Sequence, residues 1–206
     1  IVLRIVPFPH PALRYPSRPI TQIDDDLRKT VRAMFDLMYA AKGIGLAANQ
    51  VALPYRFFVL NLTADPAQPG EEQVFINPEI IKRHSSTEDE EGCLSLPGLY
   101  APVRRARKIK VRAFDLEGKL VEMDAHDLLS RAIQHETDHV EGKLFIDYLD
   151  PSTRHSINPR IEAFEYDFRQ SQKKGEFPSD DEIRRDLDAM ERVVFPPSPV
   201  NEPMPA

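Results

Sequence analysis

Two histidines and a glutamate in the segment QHETDH, residues 134–139, have the clearest potential for chemistry in this chain. His135 and His139 are four residues apart, so on a helix their imidazoles share one face and can converge on one ion. Glu136 follows the first histidine, where a carboxylate can act as a general acid or base. A catalytic divalent ion usually takes three protein ligands and leaves a position for water, so a third ligand is needed.

The only cysteine, Cys93 in EGCLSLPG, is the candidate for that third ligand. A lone cysteine forms no internal disulfide, and its type alone leaves open an inert buried thiol, a nucleophile or a metal ligand. The preceding Gly92 allows close approach of the backbone, and the segment is too irregular for plain core, which favours a functional role. A metal-bound thiolate would be ionised at neutral pH.

Periodic apolar residues predict two helices that can position these groups. The first covers residues 24–43, has acidic residues in its first turn and ends at Gly43. The second runs from about Asp127 to Glu141, carries QHETDH and stops at Gly142. Its apolar positions are Leu128, Leu129, Ala132, Ile133 and Val140.

Strand patterns fill the region between the two helices. Residues 55–62 predict a buried strand, and residues 74–81 predict another with a break at Asn77-Pro78. Residues 108–114 alternate strictly and predict a hairpin with 120–123, whereas GIGLAANQ at 43–50 predicts a loop. Together they predict an α+β fold, with antiparallel strands packed around a central metal-binding helix and a C-terminal helical extension.

Three separated blocks resemble the peptide deformylase family: GIGLAANQ at 43–50, EGCLS at 91–95 and QHETDH at 134–139. Their order and spacing match the family up to about FIDYL at 145–149. The resemblance implies a catalytic domain over residues 1–155. A helical extension is predicted at 156–195, with a helix opening at Pro159 and a capping box at Ser179–Glu182, followed by a Pro-rich, disordered tail at 196–206.

The resemblance implies removal of the N-terminal formyl group from formyl-methionyl nascent polypeptides at the ribosome, with release of formate. It assigns one divalent ion to Cys93, His135 and His139, ferrous iron in the family, although zinc, nickel or cobalt accept the same ligands. Glu136 would be the general acid and base, and Gln50 and the backbone N–H of Leu94 would stabilise the oxyanion. The residues expected to contact substrate are Gly43, Ile44, Gly45, Gly92, Leu128 and Ala132.

Other functions remain open on the residues alone. HExxH is shared with zinc endopeptidases, which generally take a third ligand downstream of the motif, a histidine or an acidic residue. The only later histidine in this chain is His155, in a polar segment. A structural metal site would need four protein ligands and would have no use for Glu136 or Gln50. A metal-free interaction module that keeps the architecture is the third alternative.

The composition of the chain limits the kinds of binding partner that the sequence predicts. The net charge of −6 argues against direct nucleic-acid binding, and the short basic cluster Arg104, Arg105, Arg107 and Lys108 is interpreted as a solvated strand edge. No apolar run reaches the roughly 18 residues of a membrane span, and the start of the sequence lacks a secretory pattern, so a soluble, cytoplasmic protein is expected. Oligomeric state is left open. The extension could pack on the domain, contact a second copy or contact the ribosome.

Overall fold

The structure, a computed structural model, describes residues 3–194 and has the predicted α+β class. All strand pairings within its two sheets are antiparallel. The helices are α1 (Asp25–Ala40), α2 (Asp127–Val140), α3 (Pro151–Lys173) and α4 (Asp180–Val194). The strands are β1 (Gly45–Ala47), β2 (Phe57–Leu60), β3 (Gln73–His84), β4 (Thr87–Cys93), β5 (Leu96–Arg105), β6 (Lys108–Phe114) and β7 (Leu120–His126).

A five-stranded sheet in the order β1-β2-β3-β6-β7 lies between the two predicted helices. Because side chains alternate along a strand, β2 contributes buried side chains to both faces of the sheet. Phe57 and Val59 pack with α1, whereas Phe58 and Leu60 pack with α2. The remaining strands, β4 and β5, form a separate hairpin that ends at Cys93. The site residues of α2 therefore face β1 on one side and the β4-β5 hairpin on the other.

The strand alternation predicted for residues 108–114 is confirmed. Ile109, Val111 and Ala113 of β6 are buried, and the intervening residues are partly exposed. The strand pairs with β7 along its whole length, as the predicted hairpin requires. Lys108 and Lys110 form ion pairs with Asp124 and Glu122 across the wet face.

Two local predictions in the first half of the chain are wrong. GIGLAANQ is not a loop, because Gly45–Ala47 pairs with β2 and Ala48–Val51 forms a 3₁₀ helix. Its small residues fit a fully buried strand, which the composition of the segment did not reveal. The expected break at Asn77 is a bulge inside a continuous β3, since Asn77 has φ 52° and its amide exchanges hydrogen bonds with the backbone of Ile20.

The C-terminal helices differ from the prediction in where they begin. Helix α3 starts at Pro151, where the Asp150 carboxylate accepts from the N–H groups of Ser152 and Thr153, so Pro159 lies inside the helix and does not open it. The predicted capping box at α4 is confirmed: the Ser179 N–H donates to the Glu182 carboxylate, and the Glu182 N–H donates to the Ser179 hydroxyl. The boundary at 155/156 stays a prediction.

The two C-terminal helices pack on the rest of the chain through more than one apolar cluster, and Ile161 of α3 is buried with Leu96 and Leu99 of β5. Phe168, Ile183 and Leu187 are buried against Ala12, and the Tyr15 hydroxyl donates to Asp188. Of the three placements left open for the extension, packing on the domain is the one found here. The predicted tail at 196–206 lies outside the described residues. No helix among residues 3–194 is long and apolar enough to cross a membrane.

Candidate metal centre and substrate cleft

The three predicted metal ligands come together between α2 and the end of β4. The Cys93 Sγ lies 3.3 Å from the His139 Nε2, which in turn lies 3.2 Å from the His135 Nε2. All three ligand atoms are within 4.8 Å of one another. Cys93 and His139 are buried, 9% and 1% exposed. The helical spacing of the histidines and the end of the β4-β5 hairpin thus bring residues 42 positions apart in the sequence to one point.

This arrangement fits a single metal ion. At a tetrahedral ion with bonds of about 2.0–2.3 Å, neighbouring ligand atoms lie about 3.3–3.6 Å apart, close to both measured separations. The donors are one thiolate and two imidazoles, a set suited to a divalent transition metal. With three protein ligands, a tetrahedral ion keeps one position for water or substrate, as catalytic sites do.

Glu136 has a buried carboxylate with an unsatisfied oxygen. The residue is 5% exposed, and its Oε2 has no hydrogen-bond partner among the described residues. Burial raises the pKa of Glu136 to about 7. A buried carboxyl without a partner is costly to keep in a dry core, so this oxygen is available to a water or a substrate beside the metal ligands.

The side-chain amide of Gln50 is also aimed at the site. Its Oε1 accepts from the Ala47 N–H at 3.0 Å, which turns the Nε2 donor toward Cys93 Sγ at 3.4 Å and Ser95 Oγ at 3.2 Å. Gln50 is 1% exposed and lies in the 3₁₀ helix that follows β1. The fold thus fixes the direction of an N–H donor next to the Cys93 sulfur.

A cleft of about 390 Å³ opens onto the metal ligands. Its lining includes every residue predicted to contact substrate: Gly43, Ile44, Gly45, Gly92, Leu128 and Ala132. The lining also includes Gln50, Leu94, Glu136, Cys93 and His135, but it does not include His139. Leu128, one of the apolar positions of the predicted helix, is 52% exposed and lies in the lining of the cleft.

Gly45 leaves the space that the Glu136 carboxylate occupies. A Cβ at Gly45 would lie 3.0 Å from the Glu136 carboxylate carbon and 2.7 Å from Leu60 Cδ2. We therefore expect Gly45→Ala to displace Glu136 and to lower kcat/KM by about 10²-fold, the scale of a misplacement near 1 Å. Gly70→Ala is the matched control, since nothing lies within 4 Å of its added Cβ. If Gly45→Ala keeps the wild-type kcat/KM and the wild-type circular dichroism spectrum, the inferred displacement of the Glu136 carboxylate is contradicted.

Sequence reasoning missed the carboxylate that orients His135. Glu91 Oε2 lies 2.9 Å from the His135 Nδ1, and Glu91 also accepts hydrogen bonds from Arg105 and Arg131. Arg105 is buried, 6% exposed, so its assignment to a solvated strand edge was wrong, although Arg104 and Arg107 are exposed. A buried guanidinium is possible here because Glu91 and Asp138 both neutralise it.

Burial and hydrogen bonds shift the pKa values of the groups around the metal ligands in different directions. Burial alone would raise the pKa of Glu91, but hydrogen bonds from His135 and Arg105 outweigh it and hold that pKa well below its usual range. The carboxylate is therefore an acceptor for the N–H at His135 Nδ1. Burial alone would lower the pKa of His135, but hydrogen bonds with Cys93 and Glu91 outweigh it and raise that pKa well above its usual value, so an ion bound at Nε2 would displace a proton. Burial lowers the pKa of His139, which keeps this imidazole neutral.

The only histidine downstream of the motif lies elsewhere. His155 is exposed on α3, and the group of potential ligands found among the described residues contains only Cys93, His135 and His139. The downstream third ligand of a zinc endopeptidase is therefore not provided by histidine here. With three protein ligands and not four, the group also differs from a structural zinc site.

Comparison with known proteins identifies a family and relatives for this chain. The family model described as polypeptide deformylase matches residues 2–155. A peptide deformylase of Rhodopirellula baltica is 41% identical over 173 residues, which are 84% of this chain and 86% of that protein. A peptide deformylase of Acidobacterium capsulatum is 45% identical over 173 residues, which are 84% of this chain and 97% of that protein.

Solved structures that are similar to this chain are also peptide deformylases. A peptide deformylase from Legionella pneumophila superposes with a TM-score of 0.74 at 39% identity, covering 81% of this chain and 96% of that one. A plant peptide deformylase superposes with a TM-score of 0.80 at 39% identity, covering 86% of this chain and 95% of that one. Both the family match and the relatives cover most of the chain, and so this protein belongs to the polypeptide deformylase family of metal-dependent enzymes.

Proposed function

We propose that this deformylase removes the formyl group from formyl-methionyl nascent polypeptides by using a metal ion held by Cys93, His135 and His139. The observation that carries the proposal is the convergence of these three ligand atoms within 4.8 Å, beside the unpartnered oxygen of Glu136. Ferrous iron is the proposed metal; zinc, nickel and cobalt suit the same donors. Because the substrates are nascent chains, the reaction takes place in the cytoplasm near the ribosome.

Glu136 moves the proton in this mechanism. When bound, the ion supplies Lewis-acid activation of water and of the formyl carbonyl. Glu136 takes a proton from the attacking water and delivers it to the amine nitrogen as the C–N bond breaks, releasing formate and a free N-terminus. A pKa of about 7 suits both halves of this transfer near neutral pH.

Gln50 and Leu94 stabilise the charge that develops on the formyl oxygen. The Nε2 of Gln50 already points at the site because Ala47 holds the other end of its amide. Leu94 follows Cys93 and lines the cleft, and its backbone N–H is the second proposed donor. Donors that are oriented before the reaction need no reorganisation when the oxyanion forms, which is the basis of their catalytic effect.

The cleft is shaped for an extended peptide with an apolar first side chain. Strand β1 is at the edge of the five-stranded sheet, where a substrate backbone can add as a further strand. Gly43, Gly45 and Gly92 leave room for that backbone. Ile44, Leu128 and Ala132 provide apolar surface for the methionine side chain. A pocket of this kind discriminates between aliphatic side chains only weakly, by about 1–3 kcal/mol per methylene.

Mass spectrometry of formyl-Met-Ala-Ser, incubated with anaerobically prepared protein, tests the proposed function. We expect loss of the formyl mass with the peptide intact. The matched acetyl-Met-Ala-Ser should remain unchanged, because formyl carries only hydrogen on its carbonyl carbon and a tight site excludes the extra methyl group. Internal cleavage would instead support an endopeptidase, and an unchanged formyl peptide would support a binding module.

A further inference from the structure

A chain of buried hydrogen bonds connects the metal ligand His135 to the surface through residues with no role in the mechanism above. Arg105, at the end of β5, donates to both oxygens of Glu91, from Nε at 2.8 Å and from Nη2 at 3.0 Å. Its remaining nitrogen, Nη1, donates to the Oδ2 of Asp138 on α2. The guanidinium therefore spans two carboxylates that belong to different elements.

Tyr148 closes the outer end of this chain. Its hydroxyl donates to the Oδ1 of Asp138 at 2.9 Å, and its ring lies under the Arg105 guanidinium, 4.8 Å from ring centroid to the central carbon. Tyr148 ends the 3₁₀ helix Phe145–Tyr148 and is 44% exposed. One tyrosine thus contacts both partners of the buried Arg105–Asp138 pair.

Both carboxylate oxygens of Glu91 are engaged in these contacts. One oxygen accepts from Arg105 and from Arg131 of α2, and the other accepts from Arg105 and lies next to the His135 Nδ1. Arg131 also donates to the Val103 carbonyl oxygen, so strand and helix both hold the carboxylate. A carboxylate with about four lone-pair sites cannot rotate away from His135 without losing several charge-assisted bonds at once.

Stability is a poor explanation for this arrangement. Two carboxylates, Glu91 and Asp138, and two guanidinium groups, Arg105 and Arg131, balance in charge, but their removal from water costs several kcal/mol per ion and buried pairs are often replaceable by apolar groups. What the network does achieve is geometric, since its members come from four elements: Glu91 from β4, Arg105 from β5, Arg131 and Asp138 from α2, and Tyr148 from the 3₁₀ helix Phe145–Tyr148. Partners of this kind set the orientation and basicity of a metal-ligating histidine.

We propose that Arg105, Asp138 and Tyr148 are positioning residues that hold Glu91 against His135 and so set the geometry of the metal site. They act through Glu91 and do not touch substrate. The inference rests on the proposed metal ligation by Cys93, His135 and His139. It predicts that loosening the outer end of this hydrogen-bond chain changes the metal environment, although Tyr148 is not one of the converging ligands.

Tyr148→Phe is the decisive variant, because it keeps the ring under Arg105 and removes only the hydroxyl donor to Asp138. Tyr166→Phe is the matched control, a 64% exposed tyrosine on α3. Arg105→Lys keeps the charge but loses the planar fork that joins the two carboxylates. The readouts are the visible absorption of the Co²⁺-loaded protein, the Co²⁺ dissociation constant, and kcat and KM for formyl-Met-Ala-Ser.

We expect Tyr148→Phe to shift the Co²⁺ spectrum and lower kcat at unchanged KM, with Tyr166→Phe matching the wild type. Arg105→Lys should weaken Co²⁺ binding by about 10- to 100-fold. If Arg105→Lys does not fold, the Co²⁺ spectrum of Tyr148→Phe alone tests the inference. If Tyr148→Phe has the wild-type Co²⁺ spectrum, the inference is overturned, even if the variant is less heat-stable. If the wild-type protein leaves the formyl peptide intact, the proposed function is overturned instead.

Discussion

Glu136→Ala should keep its metal and lose turnover. The carboxylate lies next to a ligand but is absent from the group of converging ligand atoms, so its removal leaves Cys93, His135 and His139 in place. Without it no group in the cleft has been assigned to take the proton from water, and kcat should fall by about 10²–10⁴-fold, the usual contribution of a general acid or base. Elemental analysis and initial rates on formyl-Met-Ala-Ser measure the two quantities separately.

Glu165→Ala provides the control for this variant, since it also removes one carboxylate but from the exposed face of α3. It should retain both metal and activity. If Glu136→Ala loses its metal, then Glu136 is itself a ligand and the division of roles proposed here is wrong. If it retains both metal and full activity, another group must move the proton.

Cys93→Ala should yield protein without metal. The thiolate is one of three ligand atoms, and the two imidazoles that remain on one helix face are too few for a catalytic divalent site. Activity should disappear together with the metal. The measurement is metal content after anaerobic purification and dialysis, with the circular dichroism spectrum checked for retained fold.

His155→Ala is the control that separates the deformylase site from the endopeptidase alternative. His155 is the only histidine downstream of the motif and lies exposed on α3, so its removal should leave metal content unchanged. The reverse pattern, with metal retained in Cys93→Ala and lost in His155→Ala, would place the third ligand downstream and would exclude the ligation proposed here.

The core of the candidate site was predictable because its signals are local in sequence. His135 and His139 are linked by helical spacing, and the helix is strongly patterned, so their shared face follows directly. The strict alternation of β6 likewise identified its hairpin with β7. Cys93 was different, since Gly92 and the irregular segment around it favoured a functional role but left open which one, and the resemblance to a family block assigned it to the metal.

Residues whose environment depends on distant elements were not predictable. Arg105 belongs to a basic cluster in which Arg104 and Arg107 are exposed. Its burial follows from Glu91 and Asp138, which face it from β4 and α2. Similarly, Gly45–Ala47 is a strand only because β2 pairs with it. Pro159 suggested a helix start because proline favours that position, but Asp150 and Pro151 provide an earlier one.

By itself the sequence determined the composition of the site: which residues can ligate a metal, which carboxylate stands beside them, and which helix carries them. The tertiary structure alone decided how these groups are held. It placed Glu91 next to His135, left the Oε2 of Glu136 without a hydrogen-bond partner within residues 3–194, and turned the Gln50 amide toward Cys93. The physical reason is that side-chain chemistry and helical spacing are properties of a short segment, whereas burial, pKa and orientation depend on which distant segments pack around it.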